Sequence, residues 1–271
     1  MGEKLTSREP IAIVGMGCRL PGASSLESFW ELIEASKSAI RDLPEGRWED
    51  GAVPSPYGLR GGYLENVTDF DWRTLRMLPR EVRYMDPQHR LLLELAWEAL
   101  EDAGVPFEKI AGSNTGVFMG LQWNDYYRLV SEEAENIKAY TVVGNDFSFA
   151  ANRISYAFDL RGPSQVVNAA CASGLVALQQ ACQSLWLGDS DSALVGAAEL
   201  MLSPDSTTTI ARTGMMSKSG KTRSFDSRGD GFVRGEGAGV VVLKRVSDVT
   251  NRDRVYALVR GSDVRHNAKN E

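Results

Sequence analysis

The uncharged run from Gly162 to Gly188 constrains this chain most, because its hydrophobic period changes part of the way along. Ser164 to Asn168 has the pattern of a short buried strand. From Ala172 onward, apolar residues recur at three- and four-residue steps, which is typical of one face of a helix; they are Leu175, Leu178, Cys182 and Leu185. The change of period predicts a strand-to-helix turn, and Cys171 lies in that turn.

Cys171 would then lie beside the N-terminus of a helix. The thiolate is the nucleophilic form of cysteine, and a helix N-terminus stabilises an anion through unpaired N–H groups and a partial positive charge. The small residues from Ala169 to Gly174 would leave room beside the sulfur for a substrate carbonyl, and the Cys171 N–H would face a developing oxyanion. Cys171 is therefore a candidate nucleophile, and the alternative is a small residue of a tightly packed core.

The composition excludes several classes of protein. The chain has 271 residues, of which 43% are hydrophobic and 24% charged, as expected for a soluble globular protein of one large or two small domains. Lys and Arg total 30 against 36 Asp and Glu, and no basic tract dominates, which argues against a nucleic-acid binder. Pro163, Asn168 and several glutamines interrupt the uncharged run, so we expect an interior segment and no membrane span.

The cysteines indicate the compartment. Cys18, Cys171 and Cys182 are an odd number, at spacings that match neither a disulfide framework nor a zinc site. We therefore expect a cytoplasmic protein without structural metal.

Short apolar strands alternate with amphipathic helices along the chain. The predicted strands are Ile11–Val14, Thr115–Gly120 and Ala193–Ala198, followed by Val240–Leu243 with Val255–Val259 as its expected partner. The predicted helices begin after Ser25, run from Asp86-Pro87 to Gly104, and cover Phe147–Leu160. Because each strand is apolar on both faces, we expect an α/β protein whose sheet is covered by helices on both sides.

Two further segments are predicted with less regular roles. Residues 41–80 are rich in Pro, Gly, Trp and charge, which favours an irregular insertion that caps the domain or forms an interface. The glycines from Gly229 to Gly239 indicate turns near the floor of an active site. His89, near the start of the long helix, is interpreted as a surface or interface residue.

Four of these segments together resemble the β-ketoacyl synthases, specifically the ketosynthase domain of modular polyketide synthases. The resemblance extends from about residue 9 to about residue 265, and the segments that carry it are Pro10–Gly22, Asp86–Gly104, Asn152–Ser164 and Phe225–Gly237. It implies a thiolase-like fold, of which this chain is the N-terminal half, with the nucleophile at the N-terminus of a buried helix.

The resemblance also implies a reaction. Cys171 would take an acyl chain from a carrier-protein thioester and then condense it with a malonyl-type extender by decarboxylation, in polyketide or fatty acid biosynthesis. Phosphopantetheine would be carried by the acyl carrier protein, and this chain would bind no cofactor of its own. The other expected partners are acyl and malonyl-type thioesters, the remaining polyketide synthase domains, and a second copy in a homodimer whose interface includes Gly144–Phe147.

The sequence departs from the family pattern in two places. Asn168-Ala-Ala-Cys-Ala-Ser-Gly174 stands where Asp-Thr-Ala-Cys-Ser-Ser-Ser is usual, which keeps the nucleophile and leaves the substrate class open. Family members also use two downstream histidines, one in a His-Gly-Thr motif and one after an Asn-Xaa-Gly pattern. The histidines here are His89 and His266, and neither lies in such a motif.

These observations predict a tail at residues 1–8, a β-ketoacyl synthase N-terminal domain at residues 9–265, and at residues 266–271 a truncated connector to a missing C-terminal half. Two interpretations remain. The chain is part of a larger condensing enzyme, or it is a short, non-condensing relative that binds a carrier protein or another protein chain.

Overall fold

The computed structural model describes residues 8–48, 53, 57, 59–266 and 268. Its strands are β1 (Ile11–Arg19), β2 (Ile40–Arg41), β3 (Gly61–Gly62), β4 (Thr115–Gly120), β5 (Ser164–Val167), β6 (Ser192–Glu199), β7 (Gly237–Arg245) and β8 (Ala257–Val259). Its α-helices are α1 (Leu26–Glu34), α2 (Pro79–Val82), α3 (Pro87–Asp102), α4 (Phe107–Ile110), α5 (Asp125–Ser131), α6 (Ala139–Asn145), α7 (Ser148–Ala157), α8 (Ser173–Leu187) and α9 (Pro204–Arg212).

The main sheet is mixed, with the strand order β5-β4-β6-β7-β1-β8. Strand β4 runs parallel to both β5 and β6, whereas β7 is antiparallel to β6 and β1. Strands β2 and β3 form a separate antiparallel pair within the irregular segment. In the described residues, β5 is therefore one edge of the main sheet, and the Cys171 turn follows directly from it.

Both faces of the sheet are covered by helices, as the apolar strands predict. Because side chains alternate along a strand, Val117 and Met119 of β4 pack into a cluster with α3 and α7, whereas Phe118 packs into a cluster with α8. Helix α8 presents Ala177 and Ala181 to this second cluster. The result is the α/β architecture expected from the sequence.

The predicted helix starts are confirmed at two caps. The Ser25 hydroxyl accepts the Ser28 N–H, and the Ser28 hydroxyl accepts the Ser25 N–H. These two bonds form a capping box at the start of α1. The carboxylate of Asp86 accepts the Gln88 N–H at 2.8 Å at the start of α3, where Pro87 occupies the first helical position.

Two strand predictions are wrong in detail. Strand β1 does not end at Val14 but continues to Arg19 after a shift of register between Ile13 and Gly15. The segment around β8 does not pair with β7, because β6 and β1 occupy both edges of β7; β8 pairs with Ile11–Ile13 of β1 instead.

The predicted inner face of α8 is only partly correct. Cys182 and Leu185 are buried, but Leu175 is 73% exposed, and the smaller residues Ala177 and Ala181 face the sheet. Alanine allows the helix backbone to approach the strands closely, so Leu175 lies away from the sheet. One face of α8 is therefore buried, and the other carries exposed apolar side chains.

The described part of the irregular segment contains little regular structure besides β2, β3 and α2. Residues 1–7, 49–52, 54–56, 58, 267 and 269–271 lie outside the described residues, so most of the predicted tail and connector is among them. None of the helices in the described ranges combines the length and apolar character that crossing a membrane requires.

Candidate active site

Cys171 lies in a tight turn between β5 and α8. The turn is closed by the Ala172 N–H donating to the Ala169 carbonyl at 3.1 Å and by the Ser173 N–H donating to the Ala170 carbonyl at 3.1 Å. Ala170 has a φ of 51°, in the left-handed region that residues with a side chain rarely adopt. The strand-to-helix turn predicted from the change of period is therefore present, and it includes a strained residue directly before Cys171.

Two side chains stabilise this turn. The Asn168 side-chain oxygen accepts the Ala170 N–H at 3.2 Å. The Ser173 hydroxyl accepts the Ala169 N–H at 2.9 Å and donates to the Ala170 carbonyl at 2.6 Å. The sequence suggested only that Ser173 is small enough to leave space beside the sulfur, whereas in the structure it is buried and bonded to the turn.

The start of α8 rests directly on the sheet at two glycines. A Cβ atom at Gly120, the last residue of β4, would lie 2.7 Å from both the Gly174 nitrogen and the Ser173 carbonyl carbon. A Cβ atom at Gly174 would lie 3.0 Å from the Ala197 Cβ of β6. These close approaches fix the height of the helix start above the strands, and with it the position of Cys171.

The N-terminus of α8 is open to an anion. Ala172 occupies the N-cap position and has no side-chain oxygen to accept the N–H groups of the first helical turn. Cys171 directly precedes this residue, in a run without charged side chains. The unpaired N–H groups and the helix dipole therefore supply the positive potential beside the thiol.

Cys171 is the exposed member of the three cysteines. Burial raises the pKa of Cys18, and it raises the pKa of Cys182 to about 11, so both of these thiols remain protonated at neutral pH. All three are free thiols. The exposed thiol at the helix terminus is thus the one that a reagent or a thioester can reach.

The histidines do not form a pair with this thiol. His89 is 1% exposed, which corrects its interpretation as a surface residue, and burial lowers its pKa to about 3. Its ring nitrogens have no hydrogen-bond partner among the described residues. His266 is exposed, and its Nδ1 accepts the Ala268 N–H at 2.8 Å.

A buried polar group connects the Cys171 turn to the long helix. The Asn168 side-chain N–H donates to the Gln122 carbonyl at 3.5 Å, and the Gln88 side chain donates to the next carbonyl, that of Trp123, at 2.9 Å. The Gln88 side-chain oxygen also accepts the Leu200 N–H at 3.3 Å. Sequence reasoning did not identify Gln88, because it stands beside the polar residues His89 and Arg90 and no local pattern marks it as buried.

The glycine-rich segment was expected at the active-site floor. The close contacts of its backbone are with other parts of the chain: Gly231 packs on Met215–Ser217, and the Gly62 N–H donates to the Arg234 carbonyl at 3.0 Å. Arg234 pairs with Glu199 at 2.5 Å, and burial raises the pKa of Glu199 to about 7. In this structure the segment joins β6, the irregular segment and α9, and its proximity to Cys171 stays a prediction.

A cavity of about 430 Å³ lies elsewhere, between β1, α1 and α3. Its lining includes Arg19, Leu64, Asn66, Leu91 and Glu94, and does not include Cys171. The residues around Cys171 are exposed, and Leu175 in the first turn of α8 is an exposed apolar side chain. No group of three or more metal-ligating side chains occurs in the part of the chain that the structure describes.

Comparisons with known proteins agree on one family. The profile described as "Beta-ketoacyl synthase, N-terminal domain" matches residues 8–249. One phenolphthiocerol/phthiocerol polyketide synthase protein of Mycobacterium tuberculosis is 44% identical over 276 residues, covering 98% of this chain and 18% of that protein. Another protein of the same synthase and organism is 46% identical over 264 residues, covering 94% of this chain and 14% of that protein.

Solved structures give the same result. The ketosynthase from module 6 of the bacillaene synthase of Bacillus subtilis 168 superimposes with a TM-score of 0.85 at 36% identity, covering 93% of this chain and 43% of that one. The oxazolomycin ketosynthase domain OzmH KS7 of Streptomyces albus JA3453 superimposes with a TM-score of 0.90 at 36% identity, covering 97% of this chain and 47% of that one. The chain therefore spans less than half of these structures and less than a fifth of the two synthase proteins.

Proposed function

Because the chain belongs to the β-ketoacyl synthase family, we propose that Cys171 is the nucleophile of a 3-oxoacyl-[acyl-carrier-protein] synthase of polyketide or fatty acid biosynthesis. Its sheet and helices are the N-terminal half of the thiolase-like fold. The observation that carries the proposal is an exposed thiol at a strained strand-to-helix turn, before a helix whose N-terminus has no capping side chain.

The first step is an acyl transfer. The Cys171 thiolate attacks the carbonyl carbon of an acyl thioester, a new carbon–sulfur bond forms, and the oxygen carries the negative charge of the tetrahedral intermediate. The positive end of α8 stabilises this charge. The carbon–sulfur bond to the phosphopantetheine of the carrier protein then breaks, and the released thiolate takes a proton from water. The acyl group remains on Cys171.

The second step is a condensation. Decarboxylation of a malonyl-type thioester releases CO₂ and leaves a carbanion, which attacks the acyl carbonyl on Cys171. The new carbon–carbon bond forms as the Cys171 thiolate leaves. The family resemblance assigns two histidines to this step, whereas here His89 is buried and His266 lies outside the family motifs. We therefore assign acyl transfer to this chain, and condensation to an enzyme that also supplies those histidines.

An acidic carrier protein is the proposed partner. Four exposed arginines occur between β3 and α3, and among the described residues no carboxylate lies within ion-pair distance of any of them; they are Arg73, Arg76, Arg80 and Arg83. Exposed Leu78 lies among them in the sequence. A positive surface with an apolar side chain fits an acidic protein surface, and other polyketide synthase domains are the further proposed partners.

A homodimer is also proposed. Strand β5 pairs with β4 on one side only in the described residues, so it presents a free edge next to the Cys171 turn. Tyr156 of α7, the helix packed against β5, is 91% exposed, and Val142 near the predicted interface Gly144–Phe147 is 63% exposed. A second copy would cover these apolar side chains and pair the strand edge.

Three free thiols support a reducing, cytoplasmic location.

The alternative function is a non-condensing module that binds a carrier protein or another protein chain. The observation in its favour is that the imidazole of His89 is buried and that of His266 lies outside any family motif. The two functions differ in one measurable respect, because the binding module would hold a carrier protein without taking the acyl group.

The test is acyl transfer from an acyl-carrier-protein thioester, followed by the mass of the intact chain and of its Cys171 peptide. We expect a mass gain equal to the acyl group on Cys171, absent from the Cys171→Ala variant and retained in the Cys18→Ala variant. Binding of the carrier protein without any mass gain would favour the binding module. After addition of a malonyl-carrier protein, we expect no 3-oxoacyl product from this chain alone.

A further inference from the structure

We propose that Ser173 is a positioning residue for Cys171, which holds the strained turn in shape and leaves the start of α8 free to act on the thiolate. The inference rests on the proposed function of Cys171. Ser173 does not touch the reacting atoms; it acts through the backbone of the two residues before Cys171.

The Ser173 hydroxyl connects both sides of the strained residue. It accepts the N–H of Ala169 at 2.9 Å and donates to the carbonyl of Ala170 at 2.6 Å. Ser173 is 5% exposed and lies beneath residues 168–172, which are all exposed. Among the described residues, this hydroxyl is therefore the only buried side-chain oxygen that bonds to the turn.

The turn needs such support because Ala170 adopts a left-handed conformation at a φ of 51°. This conformation is unfavourable for alanine, and strained backbone persists only where its surroundings hold it. The Asn168 side chain supplies one bond, to the Ala170 N–H at 3.2 Å, from an exposed position. The Ser173 hydroxyl makes its two bonds from a buried position, so water competes less well for them.

The direction of the Ser173 side chain distinguishes it from an ordinary helix cap. A capping serine precedes the helix, and its oxygen accepts N–H groups of the first turn. Ser173 is instead the first residue of α8, and its hydroxyl reaches backward into the turn. It therefore fixes Cys171 without occupying the N–H groups that stabilise an anion beside the thiol.

The experiment measures the rate of alkylation of Cys171 by iodoacetamide between pH 6 and pH 10, by mass spectrometry of the Cys171 peptide. We expect Ser173→Ala to slow alkylation by about tenfold over this pH range, because the turn no longer holds the Cys171 thiol at the start of α8. A purely structural role would lower the thermal stability and leave the rate profile unchanged.

The matched control is Ser184→Ala in the same helix. Ser184 is also buried, and its hydroxyl shares a 2.8 Å hydrogen bond with that of Ser190, far from the turn. We expect the control to keep the wild-type profile. An unchanged profile in Ser173→Ala, or an equal change in Ser184→Ala, would overturn the proposal.

A second pair of variants tests the turn with Ser173 intact, in case Ser173→Ala does not fold. Ala170 is exposed, so Ala170→Gly and Ala170→Val affect the core little. Glycine accepts the left-handed conformation and should keep the rate within about twofold, whereas branched valine resists it and should slow alkylation about tenfold. Equal rates in these two variants would overturn the proposal. Alkylation uses no acyl substrate. If the variants differ in alkylation rate as expected but the wild type does not take an acyl group, the result counts against the proposed function and not against the role of Ser173.

Discussion

The carboxylate of Glu236 is completely buried and paired with the guanidinium of Arg47, whose side chain is 8% exposed. The same carboxylate accepts the N–H of Leu64 at 2.8 Å and the N–H of Met201 at 3.0 Å. Glu236 directly precedes β7, Met201 follows β6, and Arg47 and Leu64 belong to the irregular segment 41–80. One side chain therefore joins this segment to the ends of two central strands.

Removal of Arg47 should destabilise the fold strongly. Arg47→Ala would leave the Glu236 carboxylate buried without its cation, in a site where burial already raises its pKa. Such a loss costs about 3–5 kcal/mol, which we expect to see as a lower free energy of unfolding in urea at pH 7.5.

The control for Arg47→Ala is an exposed ion pair of the same segment. Arg60 and Asp42 approach to 3.3 Å, but their side chains are 44% and 91% exposed. Arg60→Ala should therefore cost less than about 1 kcal/mol. Similar losses in the two variants would show that the buried pair does not anchor the segment.

The pair between Arg47 and Glu236 also shows where prediction from sequence ends. Local patterns predicted the strands, the long helix and the turn at Cys171, because hydrophobic period and capping residues act over a few positions. A pair separated by 189 residues has no local pattern. The partner of β8 was predicted wrongly for the same reason. The arrangement of the whole sheet determines which strand has a free edge, and no local pattern encodes it.

The candidate site was predicted in part. The position of Cys171 at a strand-to-helix turn followed from the change of period, and its exposure distinguishes it from the two buried cysteines. The role of Ser173 could not be predicted, because the hydroxyl's partners are set by the φ of Ala170. The prediction that His89 lies at the surface was wrong because the first residues of α3 are buried on all sides. A single sequence does not indicate that a histidine at a helix start is buried.

Protonation of His89 should make the protein less stable in acid. Burial lowers the pKa of His89 from 6.5 to about 3, with a smaller contribution from Arg153, so between these pH values the unfolded chain binds a proton that the folded chain does not. Stability therefore falls as the pH drops from 6.5 toward 3. We expect His89 to contribute a loss of about 2 kcal/mol between pH 7.5 and pH 5.

The measurement is the free energy of unfolding in urea at both pH values, for the wild type and for His89→Met. Methionine fills the site without a group that titrates, and the imidazole nitrogens have no partner to lose among the described residues. The acid-dependent loss should be smaller by about 2 kcal/mol in His89→Met. His266→Ala, at an exposed histidine, should leave it as in the wild type. The same loss in His89→Met and wild type would contradict the prediction.

Gly120 should be required for the position of Cys171 as well as for stability. Gly120→Ala would place a Cβ atom 2.7 Å from backbone atoms of Ser173 and Gly174, so the start of α8 must move away from the sheet. Overpacking of this kind costs about 1–3 kcal/mol, and we expect it to slow alkylation of Cys171 in the folded protein. Gly239→Ala is the control, because its Cβ would lie 3.7 Å from its nearest neighbour, the Gly17 carbonyl oxygen. An equal effect of both substitutions would exclude a specific role for the Gly120 contact.

Charge reversal at the arginine surface should separate carrier-protein docking from chemistry at Cys171. Arg80 and Arg83 are exposed, and no described carboxylate lies within ion-pair distance of either. The double variant Arg80→Glu/Arg83→Glu should raise the KM for an acyl-carrier-protein thioester about tenfold at low salt, and less at high salt, because salt screens exposed charges. The rate with a small acyl-pantetheine thioester should not change, since that substrate has no acidic surface.

The control is Arg265→Glu, at an exposed arginine already paired with Asp263. It should leave the KM and the rate with both substrates unchanged. A loss of activity toward the small thioester would instead place the two arginines in the reaction itself, against the docking role.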